Sequence, residues 1–577
     1  MCGIIGMASL KDFTSKEILS RLKKLEYRGY DSYGYFNNHE LVKKVGSIMV
    51  IDDEQQVKTA ISHTRWATHG GVSEKNSHPH QQGIVTIVHN GIIDNWRELK
   101  EELVSKGVVF VSETDSEVVA ALLNFKLQEE NKKIEESIKE LLNELKGTFA
   151  ILAMIKNVEG HNKIYALKRD SPLTLGLTKN EIIIASDIYA FSDLVQEAFF
   201  FENNEYAIIS SDGFLSAEFF DKKGNSLKKK PKKFSWIQEE ETIEEYEHFM
   251  LKEIHEEPKV QRRLVESLKL DQEDCFNELV NEMKKAKQIV FTAAGTAYFA
   301  SLLGTQFLRD HGVRAQAIIA SEFENFVFVD EKTLVIAVTQ SGETMDVIEA
   351  LKFSKKNGAR IASIVNVPFS TIERMSDVSI NILAGQEVAV ASTKAFTNQA
   401  TTILAIAKAF GYENGLEKIP EKIGKVLKKE EEIKNIAKKI YDKKDLYVLG
   451  RSLGYPLARE IALKIKEVSY THAEGMMAGE LKHGTIALIE EDTPVIGLVY
   501  NNDSKMRGSL QEVKARGANV IIIGNTIGSD IFVEAKTESG FVIAAATAGQ
   551  LLAYHIAKLR GLPIDKPRNL AKSVTVL

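Results

Sequence analysis

The chain has 577 residues, too many for one hydrophobic core, and at ~150 residues per domain it divides into three or four folded units. Its 44% hydrophobic and 27% charged residues exclude a disordered or fibrous chain. A net charge of −6 with both signs interspersed gives no global field for nucleic acid or an anionic membrane, so neither is expected as a partner.

Cys2 and Cys275 are the only cysteines, and neither sits in a metal-binding cluster. No disulfide framework, structural metal or cofactor is expected, and a reducing cytoplasm fits. At the start, MCGIIG places Cys2 second. Removal of Met1 would leave Cys2 with a free α-amine of pKa roughly 8 beside its thiol, a nucleophile with its own base. Read from these two residues alone, a cysteine on a buried strand is the favoured alternative.

Short β-rich runs, GIVTIVHNGI, GTFAILAMI and EIIIASD, alternate with helical stretches up to about residue 220, predicting an α+β domain. RGYDS, HTRWATHG, HNG and SETDSE carry its polar groups. The Asn90 amide and Gly91 N–H can stabilise an oxyanion, Arg65 can pair with an α-carboxylate and Asp115 with an α-ammonium. Taken singly, HNG is an ordinary turn and Asp115 a helix cap. The basic-then-acidic stretch at 221–245 predicts a solvated linker.

From about residue 287 the pattern changes. KQIVFTAAG, AQAIIAS, TLVIAVTQSGE, ARIASIVNV and SINILAG are apolar strand runs separated by helices, predicting a parallel sheet covered on both faces. A second set, LYVLGRS, TPVIGLVY and ANVIIIGNT, predicts a similar α/β unit in tandem, so the domains expected are 246–425 and 426–561 with a tail at 562–577. FVIAAATAGQLLAYHIAKLRG is interrupted by Gln550, His555 and Lys558 and reads as a buried helix.

Hydroxyls crowd VTQSGETMD, at Thr339, Ser341 and Thr344, and a second turn, AGT, ends at Thr296. Turns of this kind at helix N-termini can cradle a phosphate, or the hydroxyls can simply cap the helices. Neither GxGxxG nor GxxxxGK[ST] is present, which removes the dinucleotide and nucleotide-hydrolysis readings. Lys464, Glu467, His472, Glu474, Glu480 and His483 fall in one segment, either a solvated helix face or a proton-transfer set. Lys572 stands in an otherwise uncharged tail end, either solvated or an amine that condenses with a ketone.

MCGIIG, RGYDS, HTRWATHG, HNGIIDN and SETDSEV together resemble the class II glutamine amidotransferases, whose glutaminase domain has the N-terminal-nucleophile (αββα) fold. With SEFE, VASTKAFT and PRNLAKSVTV, the resemblance extends in order over nearly the whole chain to the glucosamine-6-phosphate synthase family, the isomerising glutamine:fructose-6-phosphate aminotransferases. It implies a glutaminase domain and two sugar isomerase (SIS) domains, acting on glutamine and fructose 6-phosphate to give glucosamine 6-phosphate for hexosamine synthesis, in at least a homodimer.

By the same resemblance Cys2 attacks glutamine, and Asn90 and Gly91 form the oxyanion hole. Arg65, Thr68, His69, Gly91 and Asp115 bind glutamine, with Trp66 on the ammonia route. Thr296, Thr339, Gln340, Ser341 and Thr344 bind the sugar phosphate, with Val390 and Ser392 nearby. Lys572 forms the Schiff base, Glu467 is the isomerisation base supported by Lys464, His483 assists ring opening, and the tail around Ala571 closes over the sugar. Departures from the family pattern are Ala297, where a hydroxyl is usual, Thr339 for serine, Leu577 for an acidic residue, and the aromatics Tyr33, Tyr35 and Phe36. Ala297 keeps open a paralogue that aminates another keto-sugar phosphate. A sugar-phosphate-binding regulator without catalysis is the alternative from another class.

Overall fold

The computed structural model describes residues 2–51, 55–67, 69–156, 163–233, 242–309, 311–412 and 415–575. The chain divides into two compact units, residues 1–240 with 573–577, and residues 241–572.

In the first unit two antiparallel sheets, of eight and seven strands, pack face to face. Alternating side chains of Gly3–Phe13 and Val57–Arg65 in one sheet meet those of Val85–Ile93 and Gly147–Ile155 in the other, so Ile4, Ile61, Val88 and Leu152 share one core. The helix Ser15–Lys24 covers the outer face of the first sheet. The helices Ser116–Gln128 and Ile134–Glu144 bury Val119, Leu123 and Leu141 on the outer face of the second. The result is the αββα layering implied by the resemblance. The strand Gly3–Phe13 lies inside its sheet, paired on both sides, with Gly3 opposite Thr64. This register sets Cys2 across from Arg65 and Trp66.

The second unit holds two five-stranded sheets, both wholly parallel. In the first, Gln288–Ala293 lies between Ala315–Ile319 and Thr333–Thr339, followed by Arg360–Val365 and Val378–Asn381. In the second, Asp445–Gly450 lies between His472–Met477 and Pro494–Val499, followed by Asn519–Gly524 and Ile531–Phe532. Both run second, first, third, fourth, fifth, so the tandem repeat weakly visible in sequence is explicit in topology. One apolar core joins the repeats through the helices Phe249–Ser267, Lys394–Ala409, Gly454–Ser469 and Glu538–Leu559. Glu538–Leu559 is long and apolar enough to cross a membrane, yet its apolar stretch is wholly buried among these helices, as its interruptions by Gln550 and His555 predict. The segment read as a possible single helix face divides instead. Lys464 and Glu467 lie on a helix, His472 and Glu474 on an edge strand, and Glu480 and His483 on a short 3-10 helix.

Candidate functional site

Around Cys2 the chain brings together three strands. The Cys2 Sγ accepts from the Trp66 N–H at 3.3 Å and lies 3.5 Å from the Trp66 carbonyl. The Cys2 carbonyl receives the Asn90 amide at 2.9 Å and the Arg28 guanidinium at 3.2 Å. Burial pushes the thiol up, opposed by the positive N-terminus, the Trp66 N–H and the Arg65 and Arg28 cations. Gly91 follows at φ +121°, and a Cβ there would lie 1.9 Å from the Thr148 carbonyl oxygen, so only glycine fits this strand beside Asn90.

Arg65 donates to the carbonyls of His69 (2.6 Å), Gly70 (3.0 Å) and Gly71 (3.2 Å), bracing the loop that follows it. Trp66 meets Tyr30 edge-on, and His69 meets Trp96. Thr68 lies outside the described residues. Asp115 stands at the N-cap of Ser116–Gln128 but makes no capping bond; it accepts from the Ile93 N–H at 2.9 Å, on the strand that carries Asn90 and Gly91. The capping alternative for Asp115 therefore does not describe its hydrogen bonding.

Behind these groups lies a column of four buried histidines. The His63 and His78 rings are 4.0 Å apart and those of His78 and His80 4.5 Å apart, while His63 Nε2 bonds the His89 carbonyl. Burial holds all four neutral, with His63 lowered to about 3.

In the second unit the candidate sugar groups gather at the carboxyl ends of Gln288–Ala293 and Thr333–Thr339. These neighbouring strands have their next elements on opposite sides, which is where open parallel sheets bind ligands. Thr296 follows the first strand, and Thr339, Gln340, Ser341 and Thr344 follow the second. Gly342, at φ +67°, has no room for a Cβ, which would lie 1.9 Å from Ser370 Oγ. Thr339 Oγ1 accepts the Gly342 N–H, whereas Thr344, the N-cap of Met345–Lys356, makes no side-chain cap.

Thr296 donates at 3.2 Å to Glu460 on the helix Gly454–Ser469, which places Glu460, Lys464 and Glu467 on one face. Lys464 Nζ lies 2.5 Å from Glu467 and 3.7 Å from Glu460. Burial raises Glu460 to about 8, and although burial opposes it, Glu467 and Glu460 together raise Lys464. A cavity of about 420 Å³ lies on the neighbouring face of this helix, lined by Tyr455, Arg459, Leu463 and Lys466 together with Glu474 and Glu480, and Lys464, Glu467, His483 and Lys572 do not line it.

Lys572 is enclosed. Its Nζ donates to Glu387 Oε2 at 2.7 Å and to the Ala389 carbonyl at 2.8 Å, and Ser392 Oγ donates to the same carboxylate. Val390 is fixed by its N–H to the Asp565 carbonyl, and Ala571 is half-buried beside Lys572. His483 is exposed and makes no hydrogen bond among the described residues.

A glutamine amidotransferase domain matches residues 1–210, and an SIS domain matches twice, at 282–409 and 439–559. The glutamine–fructose-6-phosphate aminotransferase (isomerising) of Thermococcus kodakarensis is 39% identical over the whole of both chains, and that of Thermotoga maritima 37%. The chain belongs to the isomerising glutamine–fructose-6-phosphate aminotransferase family.

Among solved structures, the C-terminal domain of the Francisella tularensis glucosamine-fructose-6-phosphate aminotransferase is 33% identical, covering 56% of this chain and all of its own, with a TM-score of 0.52. Relative to the aminotransferase family pattern, Ala297 sits in the apolar core at the start of Gly295–Arg309. The sequence reading missed Glu387, Glu460 and Glu253. Glu387 had a signal, a lone carboxylate in the apolar run GQEVAVAS, while Glu253 is hidden in the charged run LKEIHEEP.

Proposed function

We propose that this chain aminates and isomerises fructose 6-phosphate to glucosamine 6-phosphate with glutamine as the nitrogen donor. The observation that carries the reading is the enclosed Lys572 ammonium on Glu387 and Ala389, in the same chain as the Cys2 constellation. A phosphate-binding regulator needs neither.

At the first site the Cys2 thiol loses its proton to its own α-amine after Met1 is removed, and attacks the glutamine carboxamide. Asn90 and Gly91 stabilise the oxyanion; ammonia leaves and water then releases glutamate from the thioester. Arg65, Thr68, His69 and Asp115 hold the amino acid, and Trp66 borders the departing ammonia.

At the second site Thr296, Thr339, Gln340, Ser341 and Thr344 hold the phosphate, with Val390, Ser392 and Ala571 around the sugar. His483 opens the ring. Lys572 condenses with the ketone, losing water, and ammonia then displaces the lysine to leave an imine at C2. Glu467, paired with Lys464, takes a proton from C1 and returns one to C2, giving the aldehyde and amine of glucosamine 6-phosphate. Two unpaired cysteines are consistent with a cytoplasmic enzyme, and we assign a homodimer or larger assembly.

Glutamine labelled with heavy nitrogen at its amide tests the reading. The label is expected in the amino sugar, and its absence from an amino sugar formed under the same conditions would overturn the donor assignment.

A further inference from the structure

The helix Phe249–Ser267 buries two carboxylates with different surroundings. Glu257 is satisfied by the Thr397 and Thr547 hydroxyls. Glu253, 1% exposed, accepts with one oxygen from the N–H groups of Val388 (2.5 Å) and Ala389 (3.1 Å), while its other oxygen is enclosed with no partner among the described residues. The turn it grips is the cradle of Lys572, formed by the Glu387 carboxylate and the Ala389 carbonyl. The charged groups facing Glu253 are Lys572, Glu387 and Lys394, and Lys394 is itself paired with Glu256 at 2.6 Å.

We propose that Glu253 is a positioning residue for Lys572, fixing the 387–389 turn through two amides beside the Lys572–Glu387 pair. This rests on the reading of Lys572 as the Schiff-base lysine. Condensation requires the ammonium to give a proton to Glu387, the free amine to attack the ketone carbon, and Glu387 to return the proton to the departing hydroxyl as water. Ketone and ammonium thus become iminium and water, with no further reactant. A neutral Glu253 leaves one carboxylate to serve this cycle. A second negative charge in the same enclosed space would hold the proton on Lys572. The enclosed oxygen without a donor suits the acid form, and burial pushes Glu253 up to about 8.

The test is reductive trapping of the full chain with fructose 6-phosphate and cyanoborohydride, reading the adduct on Lys572 by peptide mass spectrometry across pH. E253A is expected to trap at least about tenfold more slowly at neutral pH, and the conservative E253Q to recover to within about threefold of wild type. Above pH about 8 the wild-type rate is expected to bend downward, and E253Q to lack that bend. E253A trapping at the wild-type rate would overturn the positioning role, and an unchanged bend in E253Q would overturn the charge argument. The calorimetric melting transition of the second unit, which contains Glu253, reports whether each variant is folded; if E253A is not, the E253Q profile decides alone. No wild-type adduct during active synthesis would instead sink the Schiff-base reading, and this proposal with it.

Discussion

Lys572 Nζ stands 2.7 Å from Glu387 Oε2, and the two side chains are 3% and 0% exposed. Lys572 holds the Glu387 carboxyl down to about 2 against the burial that would raise it. Breaking an enclosed pair by removing one partner strands the other charge, at a cost of about 3–5 kcal/mol. Lys572→Ala is therefore expected to abolish amino-sugar formation and to lower the melting temperature of the second unit, while glutamate release persists. Glu387→Gln is expected to cut synthesis by at least about a hundredfold. Coupled product assays and calorimetry check both.

Cys2→Ala is expected to remove glutamine-dependent synthesis while leaving conversion of fructose 6-phosphate to glucose 6-phosphate intact. Gly91→Ala acts on the same site by geometry, since its Cβ would lie 1.9 Å from a backbone oxygen at φ +121°. It is expected to destabilise the first unit by about 1–3 kcal/mol and to lower glutaminase kcat, read by denaturant titration and glutamate release.

The Gly342 turn gives a separate handle on the sugar site. Gly342→Ala would drive a Cβ into Ser370 Oγ at 1.9 Å, displacing the Thr339–Thr344 hydroxyls. The expected result is a KM for fructose 6-phosphate raised at least about tenfold with glutaminase activity unchanged. Steady-state kinetics with each substrate varied in turn would show it.

The two units are expected to respond oppositely to pH. His63, His78, His80 and His89 are lowered by burial, so below the ordinary value of 6.5 the unfolded chain binds protons that the folded chain does not. The first unit therefore gains stability as pH rises toward 6.5. Glu253, Glu257 and Glu460 are raised by burial, to about 8, 7 and 8, so above 4.5 the folded chain keeps protons that the unfolded chain releases. The second unit therefore loses stability as pH rises from 4.5 toward 7. Scanning calorimetry between pH 5 and 6.5 should show one transition rising and the other falling. Parallel movement would contradict this assignment of charge.

Much of the fold was legible because its strands are strongly patterned. GTFAILAMI and TLVIAVT carry runs that only a buried strand needs, and both became strands. The strand His472–Met477 was not legible, since HAEGMM is short and polar and takes its form from pairing with Asp445–Gly450. Of the two sites, the groups on short motifs were visible. Glu460 was not singled out, although it lies seven residues before Glu467, because helical spacing alone does not say which face of Gly454–Ser469 is enclosed. Glu253 was invisible because its hydrogen-bond partners, Val388 and Ala389, are far away in sequence.

The most direct measurement incubates the purified chain with glutamine and fructose 6-phosphate and follows glutamate and amino-sugar phosphate together by mass spectrometry. The account predicts that the two form in equal amounts. Glutamate without amino sugar would contradict the sugar assignment and point to another acceptor, and the absence of both would leave a sugar-phosphate-binding protein without catalysis.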